Sequence, residues 1–96
     1  MFLKKLPQKN INQLFKVMLS LETEEECLAL FSDLCTPKEI NTFVQRLEVA
    51  RMLKEGMTYQ DVQSESGAST ATISRVKKLL DYGSEGYNRV LERIKE

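Results

Sequence analysis

An all-α chain of about six helices is what this 96-residue sequence predicts, and three observations predict it. Apolar residues recur at helical spacing from Ile11 onward. Residues that cap helices stand at the head of each apolar run. No segment of useful length alternates polar and apolar side chains as a half-buried strand does. The length fits one domain, and neither a Gly-, Ser- or Pro-rich linker nor an internal repeat divides it. The expected organisation is a single domain, 1–96, with a dimerisation core over 1–57, a helix-turn-helix over 58–82 and a C-terminal helix over 84–96.

The elements follow in order. Asn10 is placed to cap a first helix carrying Ile11, Leu14, Phe15 and Met18 on one face. Thr23 with Glu26 is a capping box, opening a second helix whose Cys27, Leu28, Phe31 and Leu34 share a side. Thr36-Pro37-Lys38-Glu39 combines an N-cap threonine, a proline at the first helical position and a glutamate at the third. The helix it opens runs to about Glu55, where Gly56 stops it. Thr58 opens the fourth helix, Ser69 the fifth, and Gly83-Ser84 the last.

The first three helices are too apolar for a narrow amphipathic stripe. The first adds Val17, Leu19 and Leu21, and the second adds Leu30. The third has Ile40, Phe43, Val44 and Leu47 on one side, with Val49, Met52 and Leu53 rotated away from them. A helix apolar over most of its circumference needs cover from several directions, and a chain this short has few elements to supply it. A homodimer through the N-terminal helices meets the need, two-fold symmetry being the commonest closed arrangement. A compact monomer with a generous core is the alternative.

Composition narrows the function. The chain is 42% hydrophobic and 29% charged, enough apolar material to fold and too much charge for a membrane span. No apolar run approaches the roughly 18 residues a spanning helix needs. Met1-Phe2-Leu3-Lys4-Lys5 is basic, but no apolar stretch and small-residue cleavage site follow it, so a cytoplasmic protein is expected. Fourteen basic and fourteen acidic residues give a net charge of zero, which weighs against nucleic-acid binding. The acids are unevenly spread, however: Glu22, Glu24, Glu25 and Glu26 cluster far in sequence from Arg75, Lys77 and Lys78. Cys27 and Cys35, about 12 Å apart on one helix at ~1.5 Å per residue, cannot pair there, because bridged Cα atoms lie within about 7 Å. With no histidine and no CxxC, zinc is not expected, and the two cysteines read as small buried hydrophobes. An enzyme fits poorly, since no histidine, metal cluster, Gly-rich phosphate loop or base for a Ser or Cys nucleophile is present.

Residues Thr58 to Leu80, TYQDVQSESGASTATISRVKKLL, carry the positive signal. They read as a short helix, a tight turn at Gly67 and a second helix from near Ser69, the layout of a DNA-reading helix-turn-helix. Val62, Ile73 and Val76 are spaced to share one small core. Thr70, Ala71, Ser74, Lys77 and Lys78 remain free to face a groove. No acid occurs from Ser69 to Leu80. The first turn is made of small or hydroxylated side chains, which let a helix N-terminus approach base edges and phosphates closely. Hydroxyls also suit water-mediated readout, and Lys77 and Lys78 suit phosphate. Tyr59, Gln60 and Gln63 sit where a first helix crosses the backbone.

Two stretches resemble the Trp repressor superfamily, most closely its YerC/YecD branch of Trp repressor-like proteins. One is Thr36-Pro37 opening a long helix that holds Arg46 and closes at Lys54-Glu55-Gly56-Met57. The other, Gly67-Ala68-Ser69-Thr70-Ala71-Thr72-Ile73-Ser74-Arg75, is similar to the family's turn and recognition helix nearly residue for residue. The likeness spans about Leu21 to Leu91. It implies an all-α, intertwined homodimer with a recognition helix at Ser69–Leu80 and DNA-contact positions at Tyr59, Gln60, Gln63, Thr70, Ala71 and Ser74. Many helix-turn-helix motifs have alanine where Gln63 follows Val62, but Trp repressor also lacks it there.

The resemblance also places Thr36, Arg46 and Arg75 on positions that help hold L-tryptophan in Trp repressor. Two departures stand against that ligand. The family's glycine after the second arginine is Val76, and a serine three residues later is Leu79. A valine side chain projects into space that glycine leaves for an indole, and loss of the serine hydroxyl removes a polar partner. Both replacements are expected on the inner face of the helix, filling the pocket. Arg46 and Arg75 would then pair with carboxylates or bind phosphate. The expectation is a homodimeric, sequence-specific transcription regulator, a repressor by family type, acting on a pseudo-palindromic duplex without tryptophan, with no cofactor and any other small effector unknown. The alternative is a helical protein-interaction module that docks a partner through the same hairpin and an apolar first helix bearing Phe15.

Overall fold

A computed structural model describes residues 5–95. The sequence reading of Met1 to Lys4 lies outside the described residues. Six helices are present, α1 Gln8–Leu19, α2 Glu24–Leu34, α3 Pro37–Lys54, α4 Tyr59–Ser66, α5 Thr70–Tyr82 and α6 Gly86–Arg93, and no strand occurs among the described residues. The chain forms two compact units, one up to Thr36 with α1 and α2, the other from Pro37 with α3 to α6.

In the first unit, α1 starts earlier than Asn10. Pro7 precedes it with φ −57° and no side-chain cap, because a residue with fixed φ can lead into a helix without a cap of its own. Asn10 lies inside the helix, and its N–H takes Pro7 O at 3.1 Å. The capping box of α2 forms with a shift: Glu26 N donates to Thr23 Oγ1 at 3.1 Å, while Glu26 Oε1 accepts from Glu22 N at 2.8 Å, one residue before the cap. The helix stops at Leu34, and Cys35 is its C-cap in extended backbone (φ −118°, ψ 151°). The two cysteines therefore do not share the helix, and they are not core residues: Cys27 is exposed and Cys35 half-buried. The cause is that α2 buries none of its side chains in a single chain. Leu28, on the face expected to be apolar cover, is 69% exposed.

The second unit holds a well-packed core built on α3. Val49, Ala50, Met52 and Leu53 of α3 are buried with Val62 of α4, Ala68 of the turn, Ile73, Val76 and Leu80 of α5 and Leu91 of α6. Both hairpin helices pack on α3, and α6 packs on α3 and α5. Thus α3, grouped by sequence with the helices before it, has a C-terminal half that is core to the hairpin. Its N-terminal half leaves Phe43, Val44 and Leu47 exposed. The helix ends in a Schellman motif, with Gly56 N on Leu53 O at 3.0 Å and Met57 N on Met52 O at 3.2 Å. The last helix starts later than Gly83-Ser84, after Glu85, which adopts φ 68°. Gly83 spends its N–H closing α5, on Leu79 O at 2.9 Å, so the new helix cannot begin there.

Candidate nucleic-acid interface

The hairpin is built by short-range hydrogen bonds that its sequence specifies. Thr58 Oγ1 caps α4 by accepting from Asp61 N at 3.1 Å. Gly67 ends α4 with φ 73°. A Cβ there would meet nothing within 4 Å, so backbone conformation rather than crowding selects glycine. Ser66 Oγ then accepts from Ala68 N at 3.1 Å and donates to Val62 O at 2.6 Å, tucking Ala68 under the turn at 2% exposure. Ser69 Oγ caps α5 by accepting from Thr72 N at 3.2 Å. The N–H groups of Thr70 and Ala71 are left without an intrahelical acceptor, as the first turn of any helix leaves them, and an anion can be received there.

Two faces of α5 separate cleanly. At about 100° per residue, Thr70, Ala71, Ser74, Lys77 and Lys78 fall within an arc of about 120°, and Ile73, Val76 and Leu80 within a separate, narrower arc. Burial follows that geometry: Ile73 is 0% and Val76 2% exposed, whereas Thr70, Ala71, Ser74 and Lys78 are exposed. Ser69, Tyr59, Gln60 and Gln63 are exposed as well. Lys77 is half-buried, because it borders the packed arc, and its Nζ lies 3.3 Å from Asp81 Oδ1 one turn on. Such an exposed pair is worth a few tenths of a kcal/mol, little resistance to exchanging the aspartate for a phosphate.

The arginines line a concavity of about 260 Å³ on the same unit, together with Ala71, Thr72, Val76, Leu79 and Tyr87. Arg46 of α3 and Arg75 of α5 come together there; Thr36 is not among its lining residues. Among the described residues neither arginine has a carboxylate partner, so the expected ion pair does not form. No carboxylate among the described residues lines the concavity beside them, and Glu48 and Glu55 of α3 are both engaged by Arg51. The hydrogen bond that Arg51 donates to Glu48, ahead of the other influences, raises the guanidinium above its ordinary pKa. Val76 turns into the core as expected of an inner-face residue, but Leu79 is 42% exposed and lines the concavity instead of filling the interior. Its position one residue before Leu80 rotates it out of the packed arc. Sequence reasoning missed Tyr87 and Thr72 as lining residues; Tyr87 comes from a separate helix with no local signal. Among the described residues no group of His, Cys, Asp and Glu is arranged to hold a metal.

The family model described as Trp repressor protein matches residues 9–95. The chain is 56% identical over 92 residues to the uncharacterized protein YerC of Bacillus subtilis, covering 96% of this chain and 88% of that one. It is 49% identical to a crystallised candidate Trp repressor from Staphylococcus aureus, with a TM-score of 0.93 over 98% of this chain and 94% of the other. A TrpR-like protein from Eubacterium eligens is also 49% identical, with a TM-score of 0.90 over 95% and 94% of the two chains. With that match over nearly its whole length and a six-helix frame carrying the helix-turn-helix on α4 and α5, the chain belongs to the Trp repressor family.

Proposed function

We propose that this protein is a sequence-specific DNA-binding transcription regulator, acting in the cytoplasm as a homodimeric repressor on a pseudo-palindromic operator. One observation carries the reading. On α5 the small hydroxylated face, Thr70, Ala71 and Ser74, is exposed while Ile73 and Val76 on the same helix are sealed. Nothing in packing requires that surface, and its groups suit base edges, a thymine methyl and bridging water. Tyr59, Gln60 and Gln63 of α4 and Ser69, Lys77 and Lys78 of α5 supply phosphate contacts beside it. Two such heads would enter successive major grooves about 34 Å apart.

The exposed apolar surfaces of the first three helices support a dimer. Val44, at 59% exposure, is central to the α3 part of that surface. Val44→Glu is expected to yield a monomer in sedimentation at concentrations where the wild type pairs, with operator affinity falling along with it. A variant that still pairs removes α3 from the interface.

L-tryptophan is not needed in this reading, because the concavity that Arg46 and Arg75 line is also lined by the aliphatic Val76 and Leu79, where the family has glycine and serine. Selection of duplexes from a random pool, with and without L-tryptophan, tests the whole proposal. One pseudo-palindrome should be enriched equally in both arms. Thr70→Ala should cost about 1–2 kcal/mol on it, and Lys77→Ala should reduce the salt slope by about one. Enrichment only with L-tryptophan overturns the effector reading. No enrichment, or both variants binding like the wild type, overturns the reading head; a stable protein partner would then favour the interaction-module alternative.

A further inference from the structure

An α-helix leaves its last carbonyls without intrahelical donors. In each hairpin helix a side-chain amide from outside the hairpin takes one of them. Gln45 of α3 donates from Nε2 to Ser66 O, in the last turn of α4, at 3.3 Å. Asn88 of α6 donates from Nδ2 to Leu80 O, in the last turn of α5, at 3.0 Å. Asn88 is itself held: its Oδ1 accepts from Lys54 Nζ of α3 at 2.9 Å, and its Nδ2 also reaches Glu85 Oε2 at 3.1 Å. The second contact steadies a residue in the left-handed region, φ 68°, which a non-glycine residue seldom adopts.

So α3 grips α4 through Gln45 and α5 through Lys54 and Asn88, at points about 13 Å apart along its axis at ~1.5 Å per residue. The apolar contacts of Val49, Ala50, Met52 and Leu53 lie in sequence between these points. Apolar contact is non-directional and tolerates small rotations, whereas a hydrogen bond has a fixed partner and angle. A recognition surface must be held to within about 0.5 Å.

We infer that Asn88 is a positioning residue for DNA reading: by tying the last turn of α5 to α3 it sets the rotation of the Thr70–Ala71–Ser74 face without any bound effector. This rests on the DNA-binding reading above. Asn88→Ala removes the tie; Asn88→Asp keeps an acceptor for Lys54 but cannot donate to Leu80 O. With the full-length chain, both variants should bind the selected duplex roughly tenfold more weakly. Their affinity for random duplex, its salt slope and the thermal midpoint should stay near wild type. Hydrogen exchange of the amides from Asp81 to Gly83 should quicken about tenfold in both. Either variant binding the selected duplex like the wild type overturns the inference, as does an equal loss on selected and random duplex, the signature of lost folded protein. If the wild type binds no duplex, the DNA reading fails by itself, and unchanged exchange at the end of α5 then also sinks the tie.

Discussion

Ile73→Ala is expected to lower the unfolding free energy by about 3–4 kcal/mol. Ile73 is fully buried in the core that α3, α4, α5 and α6 share, and truncating such a side chain removes transfer energy and leaves a cavity. Domains of this size have only about 5–15 kcal/mol to lose, so the thermal midpoint should fall by roughly 15 °C or more. Urea denaturation followed by circular dichroism gives the value. Ser74→Ala, one position along and exposed, is the control and should change stability by less than about 0.5 kcal/mol. A cost below about 1 kcal/mol for Ile73→Ala would mean that the hairpin does not depend on this core for its stability.

Ala71→Glu should separate folding from reading with opposite signs. Ala71 is the second residue of α5, exposed, with no acid in that first turn. A carboxylate there meets the positive end of the helix dipole and should stabilise the fold by about 0.3–1 kcal/mol. Against DNA the same charge faces phosphates and displaces a base-edge contact, so operator affinity should fall about 100-fold or more. The paired measurement is a melting curve and a fluorescence-anisotropy titration on one preparation. A variant that melts no lower and binds as well as wild type would place the reading surface elsewhere.

Much of this arrangement could be read from the sequence because local chemistry determines it. Thr58, Gly67 and Ser69 act through bonds spanning three or four residues, and each acts where the pattern places it. The packing of Val62, Ile73 and Val76 follows from helical periodicity alone. Less legible was whatever depends on partners distant in sequence. Gln45 and Asn88 look like ordinary polar residues until their acceptors, Ser66 O and Leu80 O, are brought to them. Arg46 and Arg75 read as partners for carboxylates or for phosphate, and among the described residues no carboxylate pairs with either. The cysteines illustrate a different failure: composition makes free cysteine a buried residue, but α2 offers no interior in one chain to bury Cys27 in.

A helix that fully buries none of its side chains when its chain is alone stands to gain ordering energy from association. For the proposed homodimer this makes occupancy of the operator a matter of mass action. At dilutions where most chains are single, doubling their number quadruples the paired form, so the regulated promoter would answer steeply, not proportionally, to synthesis of its own regulator.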